Sequence, residues 1–118
     1  MRLTAGLLLV AVAAACATPE ALEMEKTRLV RHLRSHPGDG HAWVNLGITY
    51  RRMKAYPSAV AAFRKALKID PRDTDALYGL GICFHHMGKY DKAIRLYRRL
   101  RLIDPDLADK LFKALNAP

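Results

Sequence analysis

Apolar residues recur at intervals of three and four along most of the chain, which is the spacing that places them on one face of an α-helix. One such face contains Trp43, Leu46, Gly47 and Tyr50. Further along, Ala59, Phe63 and Ala66 show the same spacing. The pattern predicts an all-α chain of about six helices without strands.

The pattern also repeats, because residues 40–73 align with residues 74–107 without a gap. The identical pairs include the Leu-Gly-Ile segments at residues 46–48 and 80–82, and the Ile-Asp-Pro segments at residues 69–71 and 103–105. A fixed period of this length is typical of arrays in which each unit is a pair of helices. We name the first helix of each pair A-type and the second B-type.

The repeated positions resemble the tetratricopeptide motif, which is W-x2-L-G-x2-Y, then A-x3-F, then P. The first unit matches it at Trp43, Leu46, Gly47, Tyr50, Ala59, Phe63, Ala66 and Pro71. The second unit matches the frame with Leu77, Leu80, Gly81, Phe84, Ala93, Tyr97, Leu100 and Pro105, where Leu77 replaces tryptophan and Leu100 a small residue. The resemblance implies a short right-handed helix-turn-helix solenoid of two full units that binds other proteins.

The flanking segments extend the array, since two units alone do not bury their own apolar faces. Residues 20–36 are predicted to form a degenerate B-type helix, because Pro37 precedes Pro71 by one repeat length. Residues 106–115 are predicted to form an A-type capping helix, in which Leu111 takes the place of Leu77. The predicted repeat domain therefore covers residues 20–115, with full units at 40–73 and 74–107.

The resemblance implies a partner-binding groove on the A-type helices. Transferred position by position, the groove residues are His41, Val44, Asn45, Ile48, Arg51, Arg52, Asp75, Tyr78, Ile82, His85 and His86. This mixed surface suits a peptide with an apolar anchor and a carboxylate. We expect binding of another protein or peptide there, with no cofactor and no metal, and self-association through the terminal helices is a further possibility.

Charge adds a second candidate surface. The 118 residues carry 20 Lys and Arg against 11 Asp and Glu, a net charge of +9, and 51% of the residues are hydrophobic, as in one small globular domain. Much of the basic excess falls on the B-type helices, at Arg64, Lys65, Lys68, Arg95, Arg98, Arg99 and Arg101. An exported chain without an aromatic stacking platform is not expected to bind nucleic acid. Anionic phospholipid or cell-wall polymer is the alternative ligand of this convex face, and a solvated face without a ligand also remains open.

The N-terminus predicts export. Residues 1–15 combine the charged start Met1-Arg2 with an apolar run too short to span a bilayer, as in a signal peptide. Ala13-Ala14-Ala15-Cys16 resembles the lipobox of bacterial lipoproteins, which implies palmitate-type acylation of Cys16 and a short tether over residues 16–19. Cleavage without lipidation is the alternative. Because Ala17 is not Asp, the resemblance favours the periplasmic face of the outer membrane.

No catalytic constellation is visible, so we do not expect an enzyme. The pairs His32/His36 and His85/His86 lack accompanying carboxylates, and Cys83 is expected to be an inert core thiol. In architecture the chain resembles a shortened form of the lipoproteins that help assemble type IV pilus secretins. That similarity implies an adaptor in an envelope assembly.

Overall fold

A computed structural model describes residues 18–117, which form six α-helices and no strand. The helices are α1 (Pro19–Ser35), α2 (Gly40–Arg52), α3 (Tyr56–Ile69), α4 (Thr74–His86), α5 (Tyr90–Arg101) and α6 (Pro105–Leu115). The all-α prediction is confirmed. None of these six helices is long and apolar enough to cross a membrane.

Short polar side chains start four of the helices. Thr18, Asp39, Asp73 and Asp104 each accept a hydrogen bond from a backbone N–H three residues later, at 3.0–3.1 Å. These bonds satisfy amides that have no partner inside the helix. The B-type helices α3 and α5 have no such bond and follow tight turns instead.

The last helix starts earlier than the repeat frame implies. Leu107 stands at the position of the capping residue Asp73 and has no side-chain acceptor. Asp104 caps α6 instead, with Pro105 in the first turn, where its missing N–H is harmless. Pro105 therefore begins α6 as well as closing the repeat, and α6 begins one residue before the predicted position 106.

The helices pack in sequence as antiparallel pairs. The A-type helices also touch one another directly, α2 with α4 and α4 with α6, whereas the B-type helices α1, α3 and α5 do not pack closely together. The array therefore curves toward its A-type helices, and the groove lies on them. Both ends of the curve are formed by single helices, α1 and α6.

Phe63 holds the centre of the array. Its ring is fully buried and lies against the backbones of Gly47 in α2 and Gly79 in α4. A Cβ atom on Gly47 would come within 2.7 Å of the ring, so both positions require glycine for this approach. One side chain of α3 thereby fixes its separation from two A-type helices.

Trp43 has a different role. It is half-buried and packs against both apolar clusters, the main core and the smaller cluster around Leu29 and Leu33 in α1. Its indole Nε1–H donates to the carbonyl oxygen of Pro37 at 2.8 Å. Trp43 therefore joins α1 to the first repeat.

The turn between the two helices of each repeat contains a residue with a positive φ, a conformation that favours glycine. Gly88 has φ +73°, and Lys54, at the equivalent position of the first repeat, has φ +60°. A left-handed backbone costs an L-residue about 1–2 kcal/mol, whereas glycine adopts it freely at some cost in chain entropy. Lys54 therefore carries local strain that Gly88 does not.

We expect Lys54→Gly to raise the free energy of unfolding by about 0.5–1 kcal/mol. The matched variant Gly88→Ala should lower it by about 1 kcal/mol, since a Cβ there meets no atom within 4 Å and only the backbone angle is penalised. Thermal unfolding followed by circular dichroism measures both. Equal melting temperatures for the two variants would contradict this assignment of strain.

Candidate functional site

The groove residues predicted from the sequence differ in their exposure. His41, Asn45, Arg52, Asp75 and His86 are exposed, and Ile48, Arg51, Tyr78 and His85 are half-buried. Val44 and Ile82 are only 6% and 8% exposed and belong to the main core. They offer a partner little surface, because the direct contact of neighbouring A-type helices covers them.

Two shallow hollows form the accessible part of the groove. The first has a volume of about 360 Å³ and places His41 and Ile48 opposite Asp73 and Asp75 at the start of α4. The second, of about 420 Å³, lies between α1 and α2 and includes Arg52. Asn45 and Ile48 line both hollows, so one ligand segment can contact both.

Helix α1 forms one wall of the second hollow. Ala21, Leu22 and Glu25 face Thr49 and Arg52 across it. Sequence analysis assigned groove residues only from the two full repeats and missed this wall. The repeat frame could have indicated this wall, because α1 occupies the place of a B-type helix beside α2.

The two adjacent histidines are part of an aromatic cluster. The His86 ring stacks on Tyr56 with centroids 4.9 Å apart, and His85 lies edge-on to His86 at 5.7 Å and to Tyr90 at 5.5 Å. The cluster links the starts of α3 and α5 to the end of α4. His85 and His86 therefore help to fix this end of the groove.

Two polar atoms on the groove side are buried without a hydrogen-bond partner among the described residues. They are Nε of Arg51 and Nδ1 of His85, which occupy the same position in successive repeats. A buried polar atom without a partner is costly, and the same burial keeps both atoms out of reach of a ligand in the groove.

The convex cations are all exposed, but they differ in their contacts. The Arg64 guanidinium lies 5.8 Å from the centre of the Phe84 ring, and Arg99 Nη2 donates to the carbonyl oxygen of Pro71 at 2.9 Å. None of the seven forms an ion pair within residues 18–117. Their charge is therefore available to solvent or to an anionic ligand.

The convex side also has an apolar cleft of about 410 Å³ that the sequence did not reveal. It lies between α1 and α3, above Trp43, Leu46 and Tyr50 of α2, with Arg34 and Lys65 on its rim. Its existence depends on the gap between neighbouring B-type helices. In the sequence, the small residues Ala61 and Ala62 were the feature that could have indicated this cleft.

The remaining histidine pair is structural. His32 Nε2 bonds Asp39 Oδ2 at 2.8 Å, and the His36 ring stacks on His32 at 4.6 Å. The bond to His32, with the Ala42 amide, lowers the pKa of Asp39. No group of three or more His, Cys, Asp or Glu residues among those described is placed to hold a metal ion.

Of the two cysteines, only Cys83 lies within the described residues. Cys83 is fully buried as a free thiol, and burial raises its pKa to about 11, against a smaller opposing effect of Arg51. A protonated buried thiol is a poor nucleophile. Cys16, the predicted lipidation site, lies outside the described residues.

Comparison with known proteins supports the tetratricopeptide resemblance. A search of curated proteins found no match. A sequence profile of the tetratricopeptide repeat matches residues 50–117, more than half of the chain. Such domains are typically non-catalytic scaffolds that mediate protein–protein interaction. The chain belongs to the tetratricopeptide repeat family.

Proposed function

We propose that this protein is a non-catalytic adaptor of the bacterial envelope, anchored by lipid and binding a partner protein or peptide through the groove on α2 and α4. The observation that carries the proposal is the pair of hollows joined by Asn45 and Ile48. Together they form a continuous surface that is long enough for an extended segment and too open to enclose a small substrate.

The chemistry of the groove indicates the kind of segment. Ile48 and Tyr78 are half-buried apolar contacts for an anchoring side chain. Arg52 is exposed and lines the second hollow. A peptide with one apolar side chain and a carboxylate toward the end of α2 fits this arrangement.

Groove substitutions test the adaptor function. We expect Arg52→Ala to reduce cross-linking to the partner at least ten-fold, because it removes a cation that faces the ligand. Lys68→Ala on the convex side of α3 makes the same chemical change and should leave cross-linking unchanged. Tyr78→Ala should also lose the partner, provided that its melting temperature shows it to be folded. Capture that survives both groove variants would contradict the proposal.

The convex face supports a second candidate function. Its seven cations form no ion pair among the described residues, and a basic residue near an anionic bilayer contributes about 1 kcal/mol. In this alternative the protein binds phospholipid or wall polymer as a structural component. Sedimentation of the protein with phosphatidylglycerol vesicles tests this alternative. Loss of sedimentation in Lys65→Glu and Lys68→Glu, together with wild-type sedimentation of the groove variants, would favour it.

The lipid anchor rests on the sequence. Cys16 follows an apolar run and three small residues, as in the lipobox. Two or more acyl chains hold a protein on a membrane, whereas one does so only marginally. Helix α1 begins at Pro19, so a tether from Cys16 spans at most about 11 Å. An acylated chain would therefore keep the repeat domain against the bilayer. With Ala17 after the cysteine, we place it on the periplasmic face of the outer membrane.

Metabolic labelling with a fatty acid tests the anchor. We expect label in the wild-type protein and in Cys83→Ala, and none in Cys16→Ser, because the thioether requires the sulfur of Cys16. The Cys16→Ser chain should also accumulate as precursor. An unlabelled wild-type protein, or one released soluble with Thr18 as its first residue, would show that export occurs without lipidation.

A further inference from the structure

The C-terminal end of the array exposes an apolar strip. It consists of Tyr90, Ile94 and Tyr97 on α5 with Phe112 and Leu115 on α6. Tyr90, Ile94 and Phe112 are 57%, 42% and 51% exposed. The rings of Tyr97 and Phe112 lie 5.6 Å apart, and the cleft between the two helices has a volume of about 410 Å³. We name these five residues the C-terminal strip.

The same positions are covered in the first repeat. Tyr56, Val60 and Phe63 are the first-repeat equivalents of Tyr90, Ile94 and Tyr97. Val60 is 7% exposed, Phe63 is fully buried and Tyr56 stacks on His86 of α4. In the first repeat, α4 of the next repeat therefore covers this surface.

The strip is uncovered because α6 stops early relative to the repeat frame. Its last residue, Leu115, aligns with Gly81, whereas α4 continues beyond Gly81 to His86. Residues 82–86 of α4, which include the ring that stacks on Tyr56, have no helical counterpart in α6. A helix lying beside α6 would supply the missing cover.

The opposite end of the array is closed differently. The positions of Ala59, Ala62 and Ala66 in α3, which are buried, correspond to Glu25, Arg28 and His32 in α1. Glu25 and Arg28 pair with each other at 2.7 Å. Charged residues thus make the outer face of α1 suitable for solvent. Of the two ends of the array within residues 18–117, only the C-terminal end exposes apolar residues at the repeat positions of the strip.

The charge around the strip indicates the chemistry of its occupant. Helix α5 carries five Lys and Arg and one Asp, a net charge of +4, and none of these cations is ion-paired within residues 18–117. Arg98 lines the cleft itself. A second copy of this chain would bring the same cations face to face, whereas an acidic partner would neutralise them.

We propose that the C-terminal strip is a second docking surface, which binds an amphipathic helix of a partner protein with apolar residues on one face and acidic residues beside them. Its aromatic composition is that of interface residues which contribute strongly to affinity. The helix takes the place that residues 82–86 of α4 occupy over the first repeat. The strip shares no residue with the two hollows of the groove, and it adjoins the groove where Tyr90 lies against His85.

Two synthetic helical peptides of equal length test this proposal with the full chain. Both place leucine at every third or fourth position, and they differ in carrying Glu or Lys on the flanks. We expect fluorescence anisotropy to give a Kd at least ten-fold lower for the Glu peptide. Ile94→Lys and Phe112→Ser should each weaken its binding at least ten-fold, and Arg98→Glu should reduce the preference for the Glu peptide.

Two variants serve as controls. Leu102→Ser removes a leucine that is 84% exposed but lies outside the strip, and Arg52→Ala alters the groove. Both should bind the Glu peptide as the wild type does. Equal affinity for the two peptides, unchanged binding by Ile94→Lys, or loss of binding in Arg52→Ala would overturn the proposal. A wild-type dimer in sedimentation velocity that Ile94→Lys dissociates would also overturn it, by assigning the strip to a second copy.

Discussion

The fold depends on the contact of Phe63 with the backbones of Gly47 and Gly79. An aromatic ring can approach a helix backbone closely where the facing residue is glycine and has no Cβ. Here one ring approaches two helices in this way. This contact sets the distance of α3 from α2 and α4, and hence the distance between the two A-type helices. Their closeness buries Val44 and Ile82 and leaves Asn45 and Ile48 to form the groove surface.

The contact does not recur in the second repeat, which adds to the exposure that the early end of α6 leaves at the C-terminal strip. Tyr97 takes the place of Phe63, but Lys113 takes the place of Gly79. The Cβ of a lysine excludes the close approach of a ring. Leu111 fills the space beside Gly81 instead, with Cδ2 at 2.9 Å from where a Cβ would lie. Tyr97 is therefore only half-buried and meets Phe112 at the edge of the array.

The sequence predicted those features that depend on one helix or on the repeat frame. The six helices and their arrangement in A-type and B-type pairs follow from residue spacing and from the repeat period. It did not predict the burial of Val44 and Ile82, the α1 wall of the groove, or the convex cleft. These depend on the distances between helices, which side-chain volumes at Phe63 and its neighbours determine. The start of α6 at Pro105 was not predicted either, because Asp104 caps the helix and Leu107, at the repeat-frame position of the cap, has no side-chain acceptor.

The stability of Gly79→Ala tests most directly whether the contact with Phe63 determines the fold. In a helix interior, alanine is favoured over glycine by about 1 kcal/mol, so a site with free space would become more stable. The clash with Phe63 should reverse the sign and lower the free energy of unfolding by about 1–3 kcal/mol, with Trp43 fluorescence and helicity lost together. Gly38→Ala, in the turn before α2, is the control for adding a Cβ without a clash, and it should not lower the free energy of unfolding in this way. A Gly79→Ala protein at least as stable as the wild type would contradict this account.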